Sequence, residues 1–505
     1  MSRVLLLASG AAAFVLLGTA NAGGYRYGVS DQAFYIPAAV LAADPTAYPR
    51  DAPLVEAEAE LLVADELFGT IVETTGAELP ALFLAGYLVT MLLLAAAATA
   101  LARGLGLSWM ATGAALLLLT FRHRIPRTGA NSLEGYLHPR MLAFALGVAA
   151  LAALVRGRAG WAAVAVAAAA VTHPTTGFWF GLVVAAALGV DRPRWRRPLA
   201  GAALAGAAAA AWAVTVGPLA GRLAVMDEAW LAVLAGKDYL FPTEWPLYAW
   251  LLNLLYPVVI AAIYRQRRAT GAATAVEAAL VTALVSLTAV FLATVPLTAM
   301  RVALAVQVQA TRVFWLLDFA TAIYIAWWLV GRRGHGQVDD ASSARRAVSV
   351  WRPALIVSVL LAASAGRGAY ILTVEAPERE LFAVSLAPTP WHDVAAWLRT
   401  QPGDWHVAAD PGHAWRYGTS VRVSARRDTL VESIKDSAIA MYDRRVATRV
   451  AGRLQAIGDY ASLSAADFRR LDAAYDLDVA VVEASRAVDL PMLYRNTQFV
   501  VHDLR

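Results

Sequence analysis

The sequence predicts an all-α polytopic membrane protein of about eleven transmembrane helices, followed by a small extracytoplasmic α/β domain. Two compositional facts and one pattern lead there. Hydrophobic residues make up 59% of the 505 positions. Asp, Glu, Lys and Arg together reach only 16%, against ~25% in soluble domains. The apolar residues also run in stretches near the ~20 residues a bilayer-spanning helix needs. Disorder, coiled coil and disulfide scaffolds all fit such a composition poorly. The net charge of +5 rests on 43 basic residues, of which only Lys237 and Lys435 are lysines. A bias that broad marks overall composition rather than a nucleic-acid patch, and no nucleic-acid partner is expected. The absence of cysteine excludes thiol catalysis, cysteine-ligated metals and disulfides.

Taken in order, Arg3 followed by Val4–Ala20 fits a first span. Ala20-Asn21-Ala22 also has the A-x-A form of a signal-peptide cleavage site, but the many spans that follow favour retention of residues 1–22. Further apolar stretches lie at 80–102, 105–120, 139–155, 160–190, 198–216, 245–264, 272–296, 311–330 and 353–373. The 160–190 stretch is too long for one helix and carries Thr172-His173-Pro174 near its middle. Proline bars an uninterrupted helix, so two short spans meet there.

Loop charges orient the chain. Arg103, Arg156/Arg158, the arginines at 192–197, Arg265/Arg267/Arg268 and the arginines at 332–346 fall in alternate loops, on the side of Arg3. By the positive-inside rule this side is cytoplasmic. The expected organisation is a membrane module over 1–330, a Gly-, Ser- and Arg-rich cytoplasmic linker over 331–352 and a last span at 353–373. An outer α/β domain over 374–505 follows, located at the cell (inner) membrane with the N-terminus cytoplasmic. In that domain Trp391–Thr400, Thr429–Ile457 and Ala465–Tyr475 have helical periodicity, while His406–Asp410, Asp478–Glu483 and Gln498–Asp503 look like strands.

The outside loops, at 21–79, 121–138, 217–244 and 297–310, are longer and more polar than the inside ones. In the first, Ser30-Asp31-Gln32 follows closely on the first span. Asp31 can serve as a general base for a headgroup held at the bilayer surface, or it can cap the helix Gln32–Ala43. Asp51, before Ala52-Pro53, also reads as a cap, and 54–74 as an acidic surface helix. In the second loop, Glu134, His138 and Arg140 sit where a span re-enters the membrane. Ionisable groups at that depth are costly and mark function, and arginine suits phosphate oxygens. Glu134 could equally neutralise Arg140 or Arg124. Arg122, Arg124, Arg127, Arg301 and Arg312 lie outside against the topology rule, which makes them candidates for binding an anion. His173 lies at the outward break of its hairpin, and Gln309-x-x-Arg312 opens the tenth span, with Asp318 as a partner for Arg312. No H-x-x-x-H or comparable spacing exists, so a divalent metal has no support. P-loop, G-x-S-x-G and H-E-x-x-H signatures are absent.

Over roughly residues 1–330 this set resembles the GT-C-type multi-pass glycosyltransferases of prokaryotic envelopes. The likeness rests on an acidic residue in a long first outside loop (Asp31) and a second in the next (Glu134). It rests also on the outer ends bearing Arg140, His173-Pro174 and Gln309-x-x-Arg312. The resemblance implies inverting transfer of a sugar from a polyprenyl-phosphate donor to an envelope glycan, lipid or protein. Asp31 would then be the base, Glu134 a second catalytic carboxylate, and Arg140, Arg312, Arg122 and Arg124 the grip on the donor phosphate. This chain carries a lone acid at Asp31 where many such enzymes carry two adjacent ones. The rival readings are a secondary transporter, for which Glu277 and Asp318 are the intramembrane carboxylates, a glycan polymerase or ligase, and an envelope scaffold.

Overall fold

The computed structural model describes residues 3–59, 63–331 and 343–505. The chain folds as two compact units. One comprises residues 1–25, 86–225 and 238–381, the other residues 26–85, 226–237 and 382–505.

The first unit is helical. Across the described residues, seven helices are long and apolar enough to cross a membrane: Leu79–Gly104, Pro174–Asp191, Pro193–Thr215, Leu247–Ala269, Glu277–Ala299, Ala303–Gly331 and Trp351–Glu375. The other segments expected to span are shorter helices, Leu7–Asn21, Trp109–Thr120, Pro139–Val155 and Ala159–Thr172. Trp109–Thr120, with 12 residues, is about 18 Å long at the ordinary helical rise, well short of a ~30 Å hydrocarbon core. The break inside 160–190 falls at His173, which ends Ala159–Thr172 and caps Pro174–Asp191. The two arms pack tightly there, because a Cβ on Gly177 would collide with the backbone of Ala170. The linker expected at 331–352 lies in part outside the described residues; from Ser343 the chain is already in the helix Ser343–Tyr370.

Polar side chains tie helices of this unit where apolar surface alone gives no preferred register. Asn21 donates to the Ser364 carbonyl at 3.0 Å, and the Ser364 and Thr120 hydroxyls are 2.7 Å apart. Arg367 donates to Asn21 Oδ1 at 2.8 Å. Glu277 and Arg267, buried at 0% and 1% exposure, pair through two bonds of 2.6 and 3.0 Å. Arg267 also donates to the Leu105 carbonyl at 2.6 Å and lies over the Trp327 ring. Glu277 is thereby held as a structural partner of Arg267. Asp318, the other carboxylate of the transporter reading, accepts from His123 at 3.0 Å rather than standing as the expected partner of Arg312.

The second unit is α/β. Its five-stranded sheet runs in the order Asp428–Thr429, His406–Ala408, Val479–Glu483, Phe499–Asp503, Met492–Arg495. The first two pairings are parallel and the last two antiparallel, with Val407 opposite Val479 and Val481 opposite Val501. Trp391, Val394, Ala395 and Leu398 form the apolar stripe of the helix Pro390–Thr400 at helical spacing and bury against Val407, Val481 and Phe499. The Tyr460 hydroxyl donates to the Ala408 and Val481 carbonyls. The strand Met492–Arg495 and the two-residue strand Asp428–Thr429 went unanticipated, and the stretch 429–457 divides into Ser433–Ile439 and Arg444–Ile457.

Two remote segments belong to this unit. Residues 226–237 join through Trp230, whose indole donates to the Ala440 carbonyl at 2.7 Å, and through Asp227, which accepts from Arg444 at 2.6 Å. Residues 26–85 join through Tyr48, whose hydroxyl donates to the Arg422 carbonyl at 2.7 Å, and through Asp51. Asp51 was expected to cap a helix. It is wholly buried, and its carboxylate instead accepts from Arg422 Nε at 2.7 Å, from the Thr429 amide at 2.9 Å and from Arg449. Arg422 in turn forks onto Asp436 with bonds of 2.6 and 3.0 Å. The segment expected as one surface helix over 54–74 forms Ala52–Ala59 and Ala64–Thr75, with 60–62 outside the described residues.

Candidate functional site

The candidate residues fall into two groups, one in each unit. In the helical unit the loop 121–138 folds back as a short hairpin, with Arg124 opposite Asn131 and Ile125 opposite Ala130. This brings Asn131 to Glu134, whose two oxygens accept from its amide at 3.1 and 3.0 Å. Arg140 Nη2 donates to Glu134 Oε1 at 3.1 Å, and both side chains are nearly fully buried. Arg122 stands 3.9 Å from the other oxygen. Of the two partners considered for Glu134, Arg140 is thus the buried one, while Arg124 lies exposed on its strand. Arg140 also donates to the Gly129 carbonyl at 3.3 Å and sits 5.7 Å from the centre of the Trp315 ring.

Both histidines do structural work through Nδ1. His138 accepts from the Arg140 amide at 3.2 Å and caps Pro139–Val155. His173 accepts from the Thr176 amide at 3.3 Å and caps Pro174–Asp191. They nevertheless share one electrostatic neighbourhood, since His173 feels Arg312, His138 and Arg140. Gln309 is buried with a left-handed backbone, φ 51°, between the short helix Ala303–Val308 and the turn carrying Arg312. That turn bends the chain so that Arg312 opens Val313–Ala326. Arg140, Arg312, His138 and His173 thus share one neighbourhood, and Arg140 in it is bonded to the buried carboxylate of Glu134. Two guanidiniums and two imidazoles can receive a phosphate, with Glu134 holding Arg140 in place.

Asp31 belongs to the α/β unit. It occupies the cap position of Gln32–Ala43, but its carboxylate makes no cap hydrogen bond. Lys435 Nζ donates to Asp31 Oδ1 at 2.8 Å, and the ammonium also lies 5.3 Å from the centre of the Phe34 ring. Lys237 completes the group. Its Nζ donates to the Ile434 carbonyl at 2.8 Å, and burial, then the neighbouring Lys435, lowers its pKa while Asp31 and Glu432 oppose that shift. Glu432 is buried at 1% exposure. Burial and the adjacent Asp436 push its pKa up to about 7, against Arg422 and Lys435. A proton acceptor, two ammoniums and a carboxyl that titrates near neutrality thus share one corner.

Neither lysine nor Glu432 was anticipated. The available signal was composition: a chain with 43 basic residues and only two lysines places both beside Asp31. Among the described residues no three His, Asp or Glu side chains are placed to hold a metal ion.

Fold and site together define a helical membrane protein with an α/β unit built from three separated stretches of chain. Comparison with protein-family models and with curated proteins gives no match.

Proposed function

We propose that the chain is an integral membrane glycosyltransferase that moves a sugar from a polyprenyl-phosphate donor to an envelope acceptor on the extracytoplasmic face. The observation that carries the reading is the placement of Asp31: its carboxylate stands at a helix start, makes no cap hydrogen bond and is held by Lys435 beside Lys237. In the inverting step the acceptor hydroxyl gives its proton to Asp31 and its oxygen attacks the anomeric carbon. The bond from that carbon to the phosphate oxygen breaks, and polyprenyl phosphate leaves with the electron pair. Arg140 and Arg312 offset the charge developing on the phosphate, with Arg122, Arg124, His138, His173 and Gln309 as further polar groups of the helical unit.

The membrane arrangement belongs to the same proposal. In it the seven long helices and the four shorter ones, these with their flanking residues, make eleven crossings at the inner membrane, the N-terminus cytoplasmic. Support comes from the segments that share the α/β unit. Residues 26–79, 226–237 and 382–505 all lie in stretches that loop charges put outside, and they fold together. Glu277 is engaged by Arg267 and Asp318 by His123, which favours the transferase reading over the transporter one.

The test is a mass-spectrometric profile of envelope glycans in a deletion strain rescued with wild type or Asp31→Asn. The proposal expects one sugar to vanish and only wild type to restore it. Equal rescue by both proteins removes Asp31 from the chemistry, and an unchanged profile on deletion removes the transferase reading.

A further inference from the structure

The α/β unit has a basic groove whose lining does not include Asp31, Lys435 or Lys237. Its volume is about 440 Å³, and Arg399, Arg426 and His392 line it together with Leu79, Pro80 and Leu386. The arginines here differ from their neighbour Arg427. Arg427 lines only the adjoining cavity and is tied to backbone carbonyls at the end of Pro390–Thr400, including Leu398 at 3.1 Å. Among the described residues neither the Arg399 nor the Arg426 side chain has an ion pair or hydrogen bond. They face each other as like charges: burial, then Arg426, lowers the pKa of Arg399, and only the tyrosines 27 and 48 counter it. Arg426 also holds a left-handed backbone, φ 51°, which a non-glycine residue adopts at a cost of ~1–3 kcal/mol and which tends to occur at ligand sites. His392 Nδ1 is buried with no hydrogen-bond partner. Glu78 is the only carboxylate on the lining, and no ion pair joins it to either arginine.

Two like-charged guanidiniums with an unsatisfied imidazole nitrogen are a phosphate-binding set, since arginine forks match phosphate oxygens. The apolar part of the lining identifies the carrier. Leu79 and Pro80 are the first residues of Leu79–Gly104, 26 residues long and apolar enough to span a membrane. A ligand whose phosphate meets Arg399 and Arg426 therefore lays its next atoms on the apolar start of a membrane helix. We infer that this groove binds the phosphate headgroup of a membrane lipid, through Arg399, Arg426 and His392. The inference does not depend on sugar transfer.

Hydrogen exchange on the full chain in detergent tests it, with short-chain phosphatidic acid, the matching diacylglycerol and inorganic phosphate as separate additions. Phosphatidic acid is expected to slow exchange over residues 385–392 and 421–427, and neither other addition should do so. Arg399→Gln/Arg426→Gln should need at least about tenfold more lipid for the same protection, the loss of even one charge-assisted bond being worth that factor. Both side chains are exposed, so the variant folds, and unchanged exchange elsewhere verifies this. Equal protection by diacylglycerol, or an unaltered variant, overturns the phosphate assignment. Protection by inorganic phosphate at the same concentration overturns the lipid assignment. Glycan transfer in the double variant is a separate readout, so failure here leaves the transferase proposal standing.

Discussion

Lys435 donates from Nζ to Asp31 Oδ1 at 2.8 Å, joining residues 404 positions apart. The pair is half-buried, at 16% and 28% side-chain exposure, and pairs of that kind contribute only ~0–1 kcal/mol to stability. Its value is in position: an ammonium on one oxygen fixes the orientation of the carboxylate that the proposal makes the base. Lys435→Gln should therefore leave the melting temperature nearly unchanged and reduce transfer, with Lys435→Arg recovering part of it. Asp31→Asn should cost 10²–10⁴-fold, the usual reach of a general base. Transfer assays on purified protein, alongside thermal unfolding, check this; full activity in Lys435→Gln would dismiss the positioning role.

Glu432 predicts a pH-dependent stability. Its carboxyl sits at about 7 in the folded protein against an ordinary 4.5. The folded state thus holds a proton that the unfolded chain has lost, so this contribution is full below about pH 4.5 and disappears as pH rises through about 7. Glu432→Gln cannot lose a proton. Its stability relative to wild type should rise across that window by up to ~3 kcal/mol, at 1.36 kcal/mol per unit, and be flat above it. His413, pushed down to about 4, and Asp428, pushed up to about 6, occur in both proteins and cancel in the difference. Tryptophan-fluorescence melting at pH 5 and pH 8 measures this, and an equal offset at both would contradict it.

The Asp51–Arg422–Asp436 network should be intolerant of single changes. Arg422 and both carboxylates are at most 2% exposed, and removing one member of a buried ion pair strands the rest at ~3–5 kcal/mol. Arg422→Met is expected to unfold the α/β unit, seen as rapid proteolysis within 382–505. Replacing Asp51 alone by Asn should cost less than removing Arg422, because the amide still accepts from the Thr429 amide, a bond of 2.9 Å in the wild type. An Arg422→Met protein as resistant as wild type would mean that the network is dispensable.

What could be read from sequence follows the range of each interaction. The break at His173-Pro174 and the start at Pro139 are fixed by caps and prolines, and the helix Gln32–Ala43 by its apolar run, all local signals, and they fall where expected. The strand Met492–Arg495 has no alternation of its own, its burial pattern being mostly exposed, and it is held by pairing with Phe499–Asp503. Asp51 read locally as a cap because Arg422 and Arg449, which hold it, are some 370 and 398 residues away. The same distance hid Lys435 and Lys237 from Asp31. The assembly of one α/β unit from three stretches is likewise a product of non-local pairing, which the periodicity within each stretch does not reveal.

Glu134 and Arg140 present two roles that a single substitution would confuse. Their buried bond of 3.1 Å says that each neutralises the other, and a chain lacking either should fold poorly whatever its chemistry. Glu134→Gln leaves the Arg140 guanidinium buried without its carboxylate, so a loss of ~3–5 kcal/mol is expected. Arg140→Met removes the buried cation bonded to Glu134, Arg122 standing farther off at 3.9 Å, and should do similar damage. The double change removes both charges together and leaves at 134 an amide oxygen that can still accept from Asn131, so no buried charge is stranded. Folded yield in detergent should therefore fall in both single variants and return in Glu134→Gln/Arg140→Met. Transfer should not return with it, because Arg140 is the proposed grip on the donor phosphate. A double variant that folds and transfers would reduce the pair to a structural clamp and shift the phosphate role to Arg312; a double variant no better folded than the singles would show that the pair is not the unit of stability.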